Sequence, residues 1–146
     1  MNDRIVPAIT REGGELLKFM GDAVLAFFPG YDAAHSCGAA LAAARAMLDE
    51  IDHFQYEGIG VKAGIALHYG EVSYGNVGSG NRLDFTLIGP DVNVVSRIQS
   101  ICSERGDALL MSLSFREKAR IGDSVPIGPQ RLKGFADAME LFTIAH

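Results

Sequence analysis

The chain has 146 residues, of which 48% are hydrophobic, and it carries a formal net charge of −5. This length and apolar content are typical of one compact domain, so residues 1–146 are treated as a single unit. The acidic balance argues against a DNA or RNA partner, because nucleic-acid binders carry a surplus of cations. A single nucleotide stays open as a ligand, because a few local cations can hold one.

The cysteines and the apolar stretches indicate a soluble domain in a reducing compartment. Cys37 and Cys102 lie far apart and form no metal-binding spacing, which predicts two buried free thiols. No secretory signal is visible, and the most apolar stretch, Ala39–Leu48, contains Arg45 and is too short to cross a bilayer. We therefore expect a cytoplasmic location and no membrane contact by this domain, while an anchor upstream of residue 1 stays open.

The first part of the chain predicts a helix, a hairpin and a long helix. Apolar residues at helical spacing stop at Gly13–Gly14, and two short apolar runs then flank a turn at Met20–Asp22. Asp32 is suited to cap the next helix, which is rich in alanine. The predicted elements are a helix over 2–12, strands over Leu16–Phe19 and Ala23–Phe28, and a helix over 33–53.

The rest of the chain alternates strands and helices around a glycine-rich excursion that begins at Tyr74. Pro90 suits the first turn of a helix, and Asp91 favours the helix dipole. A loop is predicted at Lys133–Gly134. The predicted elements are strands over Val61–His68 and Leu83–Ile88, a helix from Pro90 to about Ile101, a strand over Ala108–Met111, a helix over Ser114–Ala119 and a strand over Met139–Ile144.

This order of elements predicts an α+β fold with helices on one face of a largely antiparallel sheet. A ferredoxin-like split βαβ arrangement would need one more strand and one more helix in front of residue 1. We therefore expect the chain to begin partway through its fold, as a domain truncated at its N-terminal end.

Two glycine motifs do not fit the sites that they resemble. The loop Gly75–Gly80 (GNVGSG) has the wrong glycine order for a dinucleotide site and leads into a strand instead of a helix. The sequence Gly13–Glu15 (GGE) is similar to the acidic turn of diguanylate cyclases, but the hairpin tip of this chain lies seven residues later. A flexible arm or wide hairpin is the better interpretation of the glycine-rich loop.

Several polar residues have an ordinary and a functional interpretation. Asn93 and Arg97 are four residues apart on a predicted helix and therefore share one face, which is common for solvated pairs. Lys133 suits a solubilising loop residue, and Lys18 with Asp22 suits a weak cross-turn ion pair. Taken singly, none of these residues indicates a site.

Four stretches occur together in a fixed order, and they carry a family resemblance. They are KFMGDAVLAFF, GIALHYGEVSYGNVGSGNRLDFTLIG, VNVVSR and RLKGFADAMELFTI. Together they resemble the catalytic domain of class III nucleotidyl (adenylate/guanylate) cyclases from about residue 5 to residue 144. The resemblance implies a ferredoxin-like cyclase fold and the conversion of a nucleoside triphosphate to a 3′,5′-cyclic nucleotide and pyrophosphate.

The resemblance also implies roles for individual residues. Asp22 matches a ligand of the two Mg²⁺ or Mn²⁺ ions that the family uses. Lys18 and Thr86 match the two base-reading positions, where guanylate cyclases typically carry Glu and a small residue such as Cys, so ATP is the expected substrate. Asn93 matches the residue that orients the ribose, and Arg97 matches the residue that stabilises charge on the α-phosphate. Lys133 matches the lysine that holds the terminal phosphates.

The family places its active sites at a head-to-tail dimer interface, so the resemblance implies a homodimer with two shared sites. Residues 74–86 match the arm that reaches the partner. One feature departs from the family: its first metal-binding aspartate lies on an opening strand well before Asp22, and the sequence has no counterpart for it. The expected function is an adenylate cyclase domain that makes cyclic AMP. The alternative is a non-catalytic cyclase-homology module that binds a nucleotide or dimerises as a regulator.

Overall fold

The computed structural model describes residues 2–20, 23–29, 32–56, 64–70, 73–76, 85–88 and 90–144. Within these residues the chain forms four α-helices and eight β-strands. The helices are α1 (Asn2–Arg11), α2 (Ala33–Tyr56), α3 (Pro90–Arg105) and α4 (Leu113–Ala119). The strands are β1 (Glu15–Met20), β2 (Ala23–Phe27), β3 (Ile65–Leu67), β4 (Ser73–Asn76), β5 (Phe85–Ile88), β6 (Leu109–Ser112), β7 (Ser124–Arg131) and β8 (Ala138–Ile144).

The described strands form two hairpins and one four-stranded sheet. β1 pairs with β2 and β4 pairs with β5, both antiparallel. The larger sheet has the order β3-β6-β8-β7, in which β3 and β6 are parallel and the other two pairs are antiparallel. This mixture of helices with mostly antiparallel strands confirms the predicted α+β class.

Helices cover both faces of the four-stranded sheet, and in this detail the structure differs from the prediction of helices on one face. All four residues of β6 are buried. Leu109 and Met111 belong to a core cluster with residues of α2 and α4, whereas Leu110 belongs to a second cluster with residues of α3. Because successive residues of a strand face opposite sides, a strand that is apolar throughout requires cover on both.

Two strands were absent from the sequence prediction. β4 was read as part of the glycine-rich excursion, and β7 contains Pro126, Gly128 and Pro129, which weaken any strand pattern. β7 lies at the edge of its sheet, where prolines are tolerated, and its pairing shifts between Pro126 and Gly128. Of the predicted strand Val61–His68, only Ile65–Leu67 forms a strand among the described residues. Gly64 and His68 flank it without strand pairing, and residues 61–63 lie outside the described residues.

Three of the four helices begin where the sequence predicts, and α4 begins one residue earlier, at Leu113. Two helices extend further than predicted at their C-terminal ends. Asp32 caps α2 as predicted, since its carboxylate accepts the Ala34 amide at 3.0 Å. The helix continues to Tyr56, and α3 continues to Arg105 instead of ending near Ile101. The inner side of α3 belongs to the second core cluster, so packing extends the helix beyond its clearest apolar spacing.

Candidate functional site

The β1–β2 hairpin carries Lys18 and leads towards Asp22. Lys18 pairs with Leu25, and the last pair is Met20 with Ala23, so the chain reverses where the sequence predicts the tip. The pairing shifts between Leu16 and Lys18, which is a β-bulge with one extra residue in β1. Asp22 lies outside the described residues, so its role as a metal ligand stays a prediction.

The strand that carries Thr86 lies beside the strand that carries Lys18. Thr86 is opposite Gly75 in the β4–β5 hairpin, and β1 contacts β5. The two predicted base-reading residues are far apart in sequence, and the fold brings their strands together. Most of the predicted arm over residues 74–86 lies outside the described residues.

Helix α3 presents Asn93 and Arg97 to solvent on one side. Both residues are exposed, whereas Val94 and Ile98 on the other side are buried. Among the described residues, the side chains of Asn93 and Arg97 have no hydrogen-bond or ion-pair partner. Their common exposed face agrees with the four-residue spacing.

Lys133 lies in the exposed turn between β7 and β8. The Phe135 amide donates to the Leu132 carbonyl at 3.0 Å, and Gly134 has a φ of +89°, a conformation that favours glycine. Leu132 is buried in the same core cluster as Val94 and Ile98 of α3. One core therefore supports both α3 and the turn that carries Lys133.

A partly buried polar network joins three elements, and the sequence analysis does not predict it. His68 follows β3, Asp91 lies in the first turn of α3, and Ser112 ends β6. His68 Nε2 lies 2.7 Å from Asp91 Oδ1, and His68 Nδ1 lies 2.7 Å from Ser112 Oγ. The partners are 23 and 44 residues from His68. A histidine placed directly after an apolar strand was the available signal in the sequence.

The hydrogen-bond directions in this network follow from the chemistry of its groups. An ionised carboxylate only accepts, so His68 Nε2 carries the proton and donates it to Asp91. His68 Nδ1 is hydrogen-bonded to Ser112 Oγ, which also contacts Ser114 Oγ at 3.0 Å and accepts the Phe115 amide in the first turn of α4. Ser114 Oγ donates to the Tyr69 carbonyl at 2.8 Å. The network therefore links the segment after β3 to α3, β6 and α4.

Gly70 is required by the same network. A Cβ atom placed on Gly70 would lie 2.2 Å from Asp91 Cγ and 2.5 Å from both carboxylate oxygens. Asp91 therefore lies between the His68 ring and the backbone of residue 70, with no room for a larger residue.

The two thiols are buried and outside any site. Burial raises the pKa of Cys37 to about 11 and, with Asp107 nearby, raises that of Cys102 to about 12. Both cysteines are free, as the sequence predicted. At neutral pH they remain protonated and chemically inert.

Neither a metal centre nor a membrane span is present among the described residues. Within them, no group of three or more His, Cys, Asp or Glu side chains could hold a metal ion, and Asp22 lies outside them. None of the described helices combines the length and the hydropathy that a membrane span requires.

Relatives with known names resemble this chain along most of its length. It is 30% identical to the terminal-differentiation specific adenylate cyclase of Dictyostelium discoideum over 95% of its residues, and 37% identical to an adenylate cyclase of Anabaena cylindrica over 73%. The chain spans only 7% and 22% of the lengths of these two proteins. No family model matches the chain.

Solved structures give the same fold. The adenylyl cyclase CyaB from P. aeruginosa matches 99% of this chain with a TM-score of 0.74 and 24% identity, and 78% of that chain is covered. The guanylyl cyclase Cya2 matches 99% of this chain with a TM-score of 0.71 and 24% identity, and 76% of that chain is covered. This chain is part of a class III nucleotidyl cyclase domain. Cyclases of this class generally use divalent metals, and their solved structures include complexes with GTP and ATPαS.

Proposed function

We propose that this cyclase domain converts ATP to 3′,5′-cyclic AMP and pyrophosphate for intracellular signalling in the cytoplasm. One observation carries the proposal. β1, which bears Lys18, contacts β5, which bears Thr86, so two residues distant in sequence lie on neighbouring strands. This arrangement suits two groups that read the edge of one base.

The choice of ATP follows from the hydrogen-bonding pattern of the base. Adenine N1 accepts a hydrogen bond, and the Lys18 ammonium group only donates. Guanine carries a proton at N1 and would need an acceptor such as a carboxylate at that position. Thr86 supplies a hydroxyl that can donate or accept, so it completes the recognition of adenine.

The remaining candidates act on the ribose and the phosphates. Asn93 orients the ribose so that its 3′-oxygen faces the α-phosphorus. A bond forms between these two atoms as the 3′-hydroxyl loses its proton to solvent water. The bond from the α-phosphorus to the bridging oxygen of the β-phosphate breaks, and pyrophosphate leaves with the electron pair. Arg97 stabilises the negative charge that develops on the α-phosphate, and Lys133 holds the terminal phosphates.

A divalent metal bound by Asp22, Mg²⁺ or Mn²⁺, would lower the pKa of the ribose 3′-hydroxyl and neutralise phosphate charge. The proposal includes a head-to-tail homodimer, in which Asp22 of one subunit serves the same site as Asn93 and Arg97 of the other. Each dimer then contains two equivalent sites.

A second function has one observation in its favour. The sequence contains Asp22 but no counterpart of the family's first metal-binding aspartate, which suits a module that binds a nucleotide or dimerises without turnover. The exposed Arg97 favours the enzyme, because its guanidinium has no ion-pair partner among the described residues and can meet a phosphate.

An assay of cyclic AMP formation tests the proposal. This chain and a version extended upstream are supplied with ATP or GTP in the presence of Mg²⁺ or Mn²⁺. We expect cyclic AMP from ATP, and we expect Arg97→Ala to lower kcat about 10²-fold with a small change in KM, because the cation acts in the transition state. Arg105→Ala, at the other end of the same helix, is the matched control and should retain activity. ATP binding without product in the extended protein would favour the regulatory module.

A further inference from the structure

The His68–Asp91–Ser112 network contains none of the residues assigned to the reaction. It is bonded to α3, the helix that carries Asn93 and Arg97. Asp91 precedes Asn93 by two residues and Arg97 by six. His68 and Ser112 belong to the segments at the ends of β3 and β6, two paired strands of the central sheet. The network therefore ties the first turn of α3 directly to that sheet.

The three residues do not form a hydrolytic triad, although their types would suit one. In such triads the nucleophilic hydroxyl must reach a substrate. Ser112 is only 1% exposed, and its oxygen already contacts His68 and accepts the Phe115 amide. The network is therefore structural in its chemistry.

The contact of His68 with Asp91 also differs from an ordinary surface pair. The His68 side chain is 8% exposed, its second nitrogen is held by Ser112, and the carboxylate is confined by Gly70 on another side. Because both ring nitrogens of His68 are hydrogen-bonded, the ring has little freedom to move, and so has the Asp91 carboxylate bonded to it. Surface pairs, by contrast, hold their partners loosely.

The His68–Asp91 hydrogen bond restrains the position of α3 along its own axis, which the apolar side of the helix restrains less strongly. Val94 and Ile98 are buried and fix which side of the helix faces the core. Apolar packing has no directional preference, so it opposes a slide of the helix along its own axis less strongly. The directional 2.7 Å bond at the first turn opposes that slide.

We propose that His68 is a positioning residue for the cyclase reaction, which through Asp91 sets the placement of Asn93 and Arg97 along α3. The inference rests on the proposed function. A displacement of about 1 Å of a catalytic group can lower the rate about 10²-fold, so a small slide of α3 is sufficient to matter.

Substitutions that keep or remove the bond test the inference. Asp91→Ala and His68→Ala remove it, whereas Asp91→Asn keeps an oxygen that can accept from His68 Nε2. His68→Gln keeps a donor near the same position. We expect the two alanine variants to lower kcat at least 10-fold with KM changed less than threefold, and the two conservative variants to recover most of kcat.

Asp107→Ala is the matched control. Asp107 accepts from Arg105 at 2.7 Å near the other end of α3, and its exposure of 25% is close to the 30% of Asp91. This variant should retain kcat within twofold. All variants are assayed in the version extended upstream, at a temperature where circular dichroism shows them folded. An unchanged kcat in His68→Ala, or an equal loss in Asp107→Ala, overturns the inference.

Amide hydrogen exchange separates a failure of the inference from a failure of the proposed function. The first helical amides have no intrahelical partners, so residues 94–98 report on the start of α3. We expect His68→Ala to lose protection there at least 10-fold and Asp107→Ala to keep it. If the wild type makes no cyclic nucleotide, the proposed function fails, and the exchange result still decides whether His68 holds α3. Unchanged protection in His68→Ala overturns that placement.

Discussion

The carboxylate of Asp91 lies against the backbone of Gly70 so closely that a Cβ atom at residue 70 would stand 2.2 Å from its Cγ atom. The segment after β3 and the first turn of α3 therefore approach each other closely, because residue 70 has no side chain. The contact also explains why a glycine follows Tyr69 at this point of the chain.

Gly70→Ala is expected to destabilise the domain. The new methyl group must displace Asp91 or the backbone, which costs about 1–3 kcal/mol in a packed site. Urea unfolding followed by circular dichroism measures the change. The double variant Gly70→Ala/Asp91→Ala should be less destabilised than the sum of the two single variants, because removing the carboxylate makes room for the methyl group.

Gly38→Ala is the matched control and should change stability in the opposite direction. Gly38 lies inside α2, and a Cβ atom there would meet nothing within 4 Å. Alanine in an open helical position raises the free energy of unfolding by about 0.5–1 kcal/mol relative to glycine. Equal losses at both glycines would contradict the close contact of Gly70 with Asp91.

Substrate choice is expected to depend on residues 18 and 86 together. The double variant Lys18→Glu/Thr86→Cys should lower kcat/KM for ATP and raise it for GTP, because a carboxylate accepts the N1 proton of guanine. The ratio of the two kcat/KM values is the measurement. Lys133→Ala is the control: it should reduce both substrates equally, since ATP and GTP share their phosphates. An unchanged ratio in the double variant would remove the base-reading role.

Shared sites predict that two inactive variants restore activity when they are mixed. Asp22→Ala and Arg97→Ala damage different sides of the proposed interface, so a mixed dimer retains one intact site. After random exchange of subunits, we expect about a quarter of wild-type activity. A mixture of Asn93→Ala with Arg97→Ala should recover nothing, because both residues come from the same side. No recovery in the first mixture, despite mixed dimers, would contradict the head-to-tail arrangement.

The buried thiols predict a loss of stability in alkaline solution. Burial raises the pKa of Cys37 from 9.0 to about 11 and that of Cys102 from 9.0 to about 12. The unfolded chain therefore loses these protons first, so the stabilisation is complete below pH 9 and declines as the pH rises towards the folded values. Each thiol contributes a slope of about 1.4 kcal/mol per pH unit in that window.

The measurement for the thiols is the free energy of unfolding between pH 8 and 11. Cys37→Ala and Cys102→Ala should each show a shallower decline than the wild type, with other alkaline groups unchanged. In the folded protein at pH 8, a thiol reagent such as Ellman's reagent should react only after urea is added. Rapid reaction without urea would contradict the burial of these groups.

The sequence predicts secondary-structure elements that depend on local patterns better than it predicts features that depend on long-range contacts. Asp32 and Pro90 predict the starts of α2 and α3, because capping and the preference for proline in the first turn are effects that act within one turn of a helix. β7 was missed because its prolines are tolerated only at a sheet edge, which is a property of the assembled sheet.

For the candidate site, too, the sequence predicts residues that belong to motifs but not contacts between distant segments. The family resemblance supplied Lys18, Thr86, Asn93, Arg97 and Lys133, and the fold adds that the strands of the first two are neighbours. The His68 network could not be predicted, because its partners are brought together from 23 and 44 residues away. The role of Asp22 remains a prediction, since that residue lies outside the described residues.

The β-bulge in β1 decides which residue of β2 lies opposite Lys18. Paired residues of a hairpin share a face, and the shift between Leu16 and Lys18 moves the pairing from Ala26 to Leu25 across two residues of β1. In a regular ladder of the same sequence, Leu17 would pair with Leu25 and Lys18 with Val24, on the other face of the hairpin. The proposed base-reading role of Lys18 therefore depends on the pairing of β1 with β2 as well as on the side chain.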